Sequence, residues 1–285
     1  MRNNKENNNN NESFLDTMIY LIVKVKRDDI FALASQLAYY MVLSFFPFLI
    51  FLITLVGFSN LDSTEVLDGL KTIVPTSVYE LTQSTVVEVV DYQHTGILGV
   101  SVVLTIWSAS SAFRAVIKGV NKAYEVTERR SFIKISIIGM ISVLALALTV
   151  ICTLAMLVFG DQIGYYLSHL LPFEHVLNFI WDILRYVIII VMMILVFAII
   201  YKVAPNRKVK LRNTIPGAIV TTVGWIIASL GFSYYVNNFA NYSRIYGSLG
   251  TVFVLMTWLF ITSMIFIFGV EVNSVLERNR ERASR

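Results

Sequence analysis

Charge is scarce in this chain. Lys, Arg, Asp and Glu make up 15% of its 285 residues, whereas 56% are hydrophobic. Soluble domains carry about 25% charged residues. A water-facing globule is therefore excluded, and a mean hydropathy of +0.68 points to lipid. Cysteine is rarer still. Cys152 stands alone inside an apolar run, which rules out an intrachain disulfide and fits a small packed side chain. Histidine is limited to His94, His169 and His175. Metal-assisted hydrolysis needs histidines and carboxylates converging on one ion. The chain has no His-x-His pair and no acidic cluster at ligand spacing, so no metal site and no cofactor are expected. Ser108, Ser110 and Ser111 lack a histidine within reach and suit bonds to their own helix better than nucleophilic catalysis. Glu125 and Glu128 sit among basic residues and read as solvated helix charges. The residues thus speak against an enzyme, and against a ribonuclease in particular.

Long apolar runs are what the chain does have. Six are long enough to cross a bilayer, at about 20 residues of helix each: roughly 31–58, 96–117, 133–160, 179–203, 214–236 and 247–271. The asparagine-rich stretch 1–12 reads as disordered, and no signal-peptide apolar core follows it. Phe14, Leu15, Met18, Ile19, Ile22 and Val23 recur at helical spacing ahead of Lys24, Lys26 and Arg27, which predicts an interfacial helix on the inner leaflet. Residues 62–93 hold six acids and Pro75, with a capping box at Ser77–Glu80, and predict a small outer cap of two short helices. Residues 276–285 form a charged tail, expected to be solvated, behind a single membrane domain 13–275.

Orientation follows from the basic residues. Arg2, Lys5, Lys24, Lys26 and Arg27 precede the first span, and Lys71 alone follows it. Lys118, Lys122, Arg129, Arg130 and Lys134 surround the next connection, whereas 161–177 has no Lys or Arg. Lys202, Arg207, Lys208, Lys210 and Arg212 then alternate with Arg244 alone, and the tail carries Arg278, Arg280, Arg282 and Arg285. The alternation predicts six spans with both termini in the cytoplasm. It also accounts for the net charge of +4 without a nucleic-acid partner.

Within the first span, Gln36, Tyr40 and Ser44 lie four apart on one helix face, with Tyr39 beside them and Pro47 three residues further on. Pro47 predicts a kink near mid-membrane. Ser111 and Arg114 carry a polar face into the inner end of the second span. Arg114 suits either an interfacial orientation charge or a ligand role. Arg185 lies about 9 Å inside a fourth helix begun at Phe179, one turn beyond Asp182. It suits either a local ion pair or a cationic anchor in a cavity. Glu271 closes the sixth span beside Asn273, suited to pairing with a cytoplasmic Lys or Arg or to proton coupling. Gly217, Gly224 and Gly231, seven apart, predict a close helix seam. Gly247 marks the turn into the sixth span.

Several pieces together resemble the YihY/BrkB family of bacterial inner-membrane proteins, some of which were once labelled ribonuclease BN. They are Leu37–Tyr40 with Leu43–Pro47, Trp107–Ser111, Asn121–Tyr124, Ala204–Lys208, Pro216–Ala218, Tyr242–Gly250 and Phe268–Asn273. The resemblance implies a multi-pass plasma-membrane protein of about six helices, in a family regarded as transporters with suggested lipid-related roles. The reading is an all-α polytopic bundle that moves an anionic or amphipathic substrate, a lipid or a small molecule. Its proposed site is Gln36, Tyr39, Tyr40, Ser44, Ser111, Arg114, Asp182, Arg185 and Glu271. Membrane lipids are its expected partners. The alternative is a non-transporting scaffold of the cell envelope.

Overall fold

A computed structural model describes residues 16–57, 111–169, 174–239 and 248–283, together with isolated positions between 64 and 107. The outer cap, most of the second span and Gly247 lie outside the described residues, as do the side chains of Pro47 and Asp182. All regular structure among the described residues is helical. The helices are α1 (16–27), α2 (Ile30–Gly57), α3 (111–123), α4 (Phe132–His169), α5 (Glu174–Val203), α6 (Leu211–Phe239) and α7 (Ser248–Ala283).

Four of these helices are long and apolar enough to cross a membrane, with apolar segments Phe132–Thr153, Ile183–Val203, Leu211–Val236 and Val252–Arg282. A shorter apolar stretch, Ile30–Ser44, opens α2. The helices outrun the expected spans. α4 continues to His169 and α5 begins at Glu174, so most of the loop read at 161–177 is helical. Thirty-eight residues of α4 extend about 57 Å, against a hydrocarbon layer of about 30 Å. Backbone hydrogen bonding carries a helix on after its apolar stretch has ended, and hydropathy does not mark that end. α7 likewise continues through the supposed tail to Ala283.

α7 packs against α6 and α2, α6 against α5, and α5 against α4. The α6–α7 crossing is tight because neither backbone carries a side chain there. A Cβ on Gly217 would strike the Gly269 carbonyl oxygen and the Asn273 amide. One on Gly269 would strike Thr221 Oγ1 and the Gly217 carbonyl oxygen. Pro216 removes one N–H from this turn, and the fully buried Asn273 side chain works alongside it. Gly217 N–H donates to Asn273 Oδ1 at 2.7 Å, and Asn273 Nδ2 donates to the Thr214 carbonyl at 3.1 Å. Tyr201 of α5 closes the joint, sharing a hydrogen bond with Thr221 Oγ1 at 2.6 Å and donating to the Phe266 carbonyl at 2.8 Å.

The heptad reading of the seam holds at Gly217 and at Gly224, where an added Cβ would lie 2.9 Å from Ile265. It fails at Gly231, which is exposed with nothing within 4 Å of a Cβ. A strict seven-residue step drifts by about 20° per heptad on a straight helix. The contact line has moved to Ser229, which receives a 3.4 Å bond from Trp258 Nε1, and to the buried Phe232.

Candidate functional site

Two polar constellations stand out. The first joins α2 and α3. Lys118 Nζ donates to Gln36 Oε1 at 3.2 Å. Gln36, Tyr40, Ser111, Arg114, Ala115 and Lys118 line a half-open recess of about 140 Å³. Residue numbers rise along α2 as they fall along α3, so the two helices are antiparallel. Their spacings explain the site: 36 and 40 share one face of α2, and 111, 114, 115 and 118 share one face of α3. Arg114 donates to Ser111 Oγ at 2.5 Å and lies 5.2 Å from the centre of the Phe132 ring. Among the described residues the lining holds two cations and three neutral polar groups.

The structure divides the other expected site residues. Tyr39 is 57% exposed and points away from the recess, edge-on to Tyr40 at 5.5 Å. It is the chain neighbour of Tyr40, which turns it about 100° from that side chain around the helix. Ser44 is buried and donates to its own helix at the Met41 carbonyl, 3.1 Å away, so it satisfies backbone rather than lining the recess. Arg185 belongs to another region. It stacks on Tyr186 at 5.1 Å and sits eleven residues into α5, because that helix starts earlier than Phe179.

The second constellation surrounds Lys24. Its ammonium is 2% exposed and reaches Asp28 at 2.5 Å, Glu271 at 3.2 Å and Glu125 at 3.7 Å. Arg27 pairs with Asp28 at 3.1 Å and also with Glu125. Glu271 is fully buried, and its contact with Lys24 is a buried charge pair. Glu125 holds its position through a left-handed backbone, φ 56°. Its N–H meets the Lys122 carbonyl at 3.0 Å and the Val126 N–H meets the Asn121 carbonyl at 2.9 Å, the two bonds of a Schellman cap. Glycine is the usual occupant of that position. Here a carboxylate occupies it and reaches across to α1. Burial alone would drag the Lys24 ammonium down, but Asp28 and Glu271 together hold its pKa above the ordinary lysine value. Asp28, pushed up by burial, is held below the usual carboxylate range by Lys24 and Arg27. The hydrogen bond from Arg27 holds Glu125 below that range.

Sequence reasoning offered Glu271 a basic partner but did not find Lys24. In sequence Lys24 looks like one member of a basic row. The available signal was its spacing: Leu21, Lys24 and Asp28 share a helix face opposite Ile19, Ile22 and Val23, which are 60%, 68% and 56% exposed. α1 therefore lays one face on α7 rather than lying wholly in an interface. Asn279 bonds Thr17 at 2.9 Å, and Arg278 stacks on Tyr20 at 3.8 Å. These contacts, with Arg207 binding Glu277 at 3.0 Å and Glu281 at 3.1 Å, cover the start of the expected solvated tail at Glu277–Asn279, while Arg280, Glu281 and Arg282 are exposed. Glu125 and Glu128 are not free helix charges either. Glu128 binds Arg130 at 2.6 Å and Asn121 at 2.8 Å, and Asn121 accepts the Asn206 N–H at 2.7 Å. Arg130, chiefly, holds the Glu128 pKa down at about 2. The pieces around residues 121–124 and 204–208 thus meet at one end of the bundle.

A bundle of long apolar helices, knotted by charges at one end and bearing a cationic recess between two of them, defines a multi-pass α-helical membrane protein. Residues 21–285 match the family described as Virulence factor BrkB, and the chain belongs to that family. It is similar to the ribonuclease-like protein YfkH of Bacillus subtilis, at 35% identity over 248 residues, covering 87% of this chain and 90% of that one. A UPF0761 membrane protein of Alteromonas mediterranea is 45% identical over 78 residues, 27% of this chain and 26% of its own. One of Pasteurella multocida is 33% identical over 128 residues, 44% and 40% of the two chains. No solved structure matches.

Proposed function

We propose that the chain is a six-span inner-membrane protein that translocates an anionic or amphipathic substrate, and that the α2–α3 recess is its substrate subsite on the cytoplasmic side. The recess carries the reading: Arg114 and Lys118 converge there with Tyr40, Ser111 and Gln36. Cations within an apolar bundle are costly, and they mark ion or substrate paths. The orientation rests on the basic residues, which cluster at the end where α1, the C-terminus of α3 and the C-terminus of α7 meet. α2 leaves that end and antiparallel α3 runs back to it. This supports a second span over 96–117. Arg185, in the other half of α5, supplies a second cationic station.

The test is reconstitution. Purified protein in liposomes should move a labelled anionic lipid or anion, and Arg114→Ala and Arg185→Ala should each slow it. A correctly inserted protein with no flux of either kind would favour the scaffold reading, which draws on the tightly bonded joint at the charged end. The ribonuclease-like name belongs to the relative. Among the described residues no three His, Cys, Asp or Glu side chains group as a metal site, and the same preparation should leave RNA intact in the presence of divalent ions.

A further inference from the structure

We infer that the recess takes the phosphate of an anionic membrane lipid that enters sideways between α2 and α3, rather than a soluble anion. This rests on the subsite reading above and names its occupant. Polarity falls off along the antiparallel pair. At the charged end of the site stand Lys118 and Gln36, in contact at 3.2 Å. A turn further on come Arg114 and Tyr40, and then Ser111. Beyond these stand two exposed apolar side chains: Leu43, which follows Tyr40 on α2 and is 53% exposed, and Trp107, four residues before Ser111 and 67% exposed. Ser111 Oγ donates to the Trp107 carbonyl at 3.2 Å, which holds the two residues next to each other. Exposed Phe132, beneath the Arg114 guanidinium, adds an apolar wall at the mouth.

A soluble anion needs only the charged part. A lipid phosphate needs the charge at one level and apolar surface one or two turns deeper, which is the order found here. Size agrees. About 140 Å³ is close to the volume of an engineered cavity that admits one benzene. It has room for a phosphate group. Arg114 and Lys118 supply charge-assisted bonds to phosphate oxygens, and Tyr40 supplies a hydroxyl donor.

Trp107 provides the readout. The protein is placed in phosphatidylcholine vesicles containing a minor fraction of dibrominated phosphatidic acid or, separately, of dibrominated phosphatidylcholine. The fluorescence of a Trp107→Phe variant is subtracted to isolate this residue. The bromolipid with the phosphate headgroup should quench Trp107 at a concentration roughly fivefold or more below the zwitterionic one, and Arg114→Gln or Lys118→Gln should each remove about fivefold of that preference. Because the main contrast uses the unaltered protein, a variant that fails to fold does not decide it. Equal quenching by the two lipids overturns the proposal. So does displacement of the brominated phosphatidic acid by an equal concentration of inorganic phosphate, which would assign the recess to a soluble anion. Flux is scored separately. Preferential quenching without flux keeps the lipid site and sinks the transport reading. Anion flux without preferential quenching does the reverse.

Discussion

Lys24 shows what a single buried charge does to a membrane protein of this kind. Its ammonium faces Asp28 and Glu271, both buried, and its neighbour Arg27 brings in Glu125. Removing one partner of a buried pair leaves the other charge uncompensated, at a cost of about 3–5 kcal/mol. Lys24→Met should therefore lower the detergent-solubilised melting temperature sharply. The double variant with Glu271→Gln should recover part of the loss, because the orphaned charge is then gone. Strictly additive losses would show that the two residues do not act as a unit. Glu128 gives the pH counterpart. Its carboxyl is held at about 2 against an ordinary 4.5. The folded value lies below the unfolded one, so its contribution is complete above about pH 4.5 and drains away as pH falls toward about 2. Melting curves taken down that range should show a slope that Glu128→Gln reduces. An unchanged slope would mean that the Arg130 pair contributes nothing to folding.

Among the elements, the α6–α7 joint separates glycines that matter from one that does not. Gly217→Ala and Gly269→Ala drive a methyl into opposing backbone or into a short buried side chain, neither of which can move aside. Overpacking costs about 1–3 kcal/mol, and a backbone obstacle puts these two at the upper end. Gly231→Ala meets nothing and replaces a poor helix former, so it should be neutral or stabilising by up to about 1 kcal/mol. Thermal unfolding of the three variants checks the ranking, and a harmless Gly217→Ala would remove the tight crossing. The same joint marks how far sequence reasoning reaches. Gly217 beside Pro216 and Asn273 beside Glu271 were visible as unusual residues in apolar helices. That Asn273 inserts its amide into the first turns of α6 was not, because the pair is 56 residues apart and only packing joins it. The Gln36–Tyr40 stripe and the Ser111–Arg114 face were legible, since helical period alone places them on one side. Lys24 was hidden, because a lysine that orients a helix and a lysine that enters a core look alike in one dimension.

For the molecule as a whole, the decisive quantity is which side of the membrane holds the charged end. α1, the ends of α3, α5 and α7, and the starts of α2, α4 and α6 gather there through the bonds around Lys24, Asn121, Arg130 and Arg207. Orientation is therefore one question rather than seven. The sole cysteine makes it answerable. Cys152 lies exposed on α4, and Cys152→Ser leaves a chain without thiols. Single cysteines are then introduced as Lys122→Cys at the charged end, as Ser284→Cys in the tail assigned to the inside, and as His94→Cys and Arg244→Cys in the segments assigned to the outside. A membrane-impermeant maleimide added to intact spheroplasts should label the last two and spare the first two, and permeabilisation should expose all four. The basic residues predict this result because lysine and arginine resist translocation in short loops. Labelling of Ser284→Cys from outside would turn the bundle over and place Arg114 and Lys118 in the opposite leaflet. Labelling of His94→Cys and Lys122→Cys from the same side would remove the second span, and with it the antiparallel return that closes the recess.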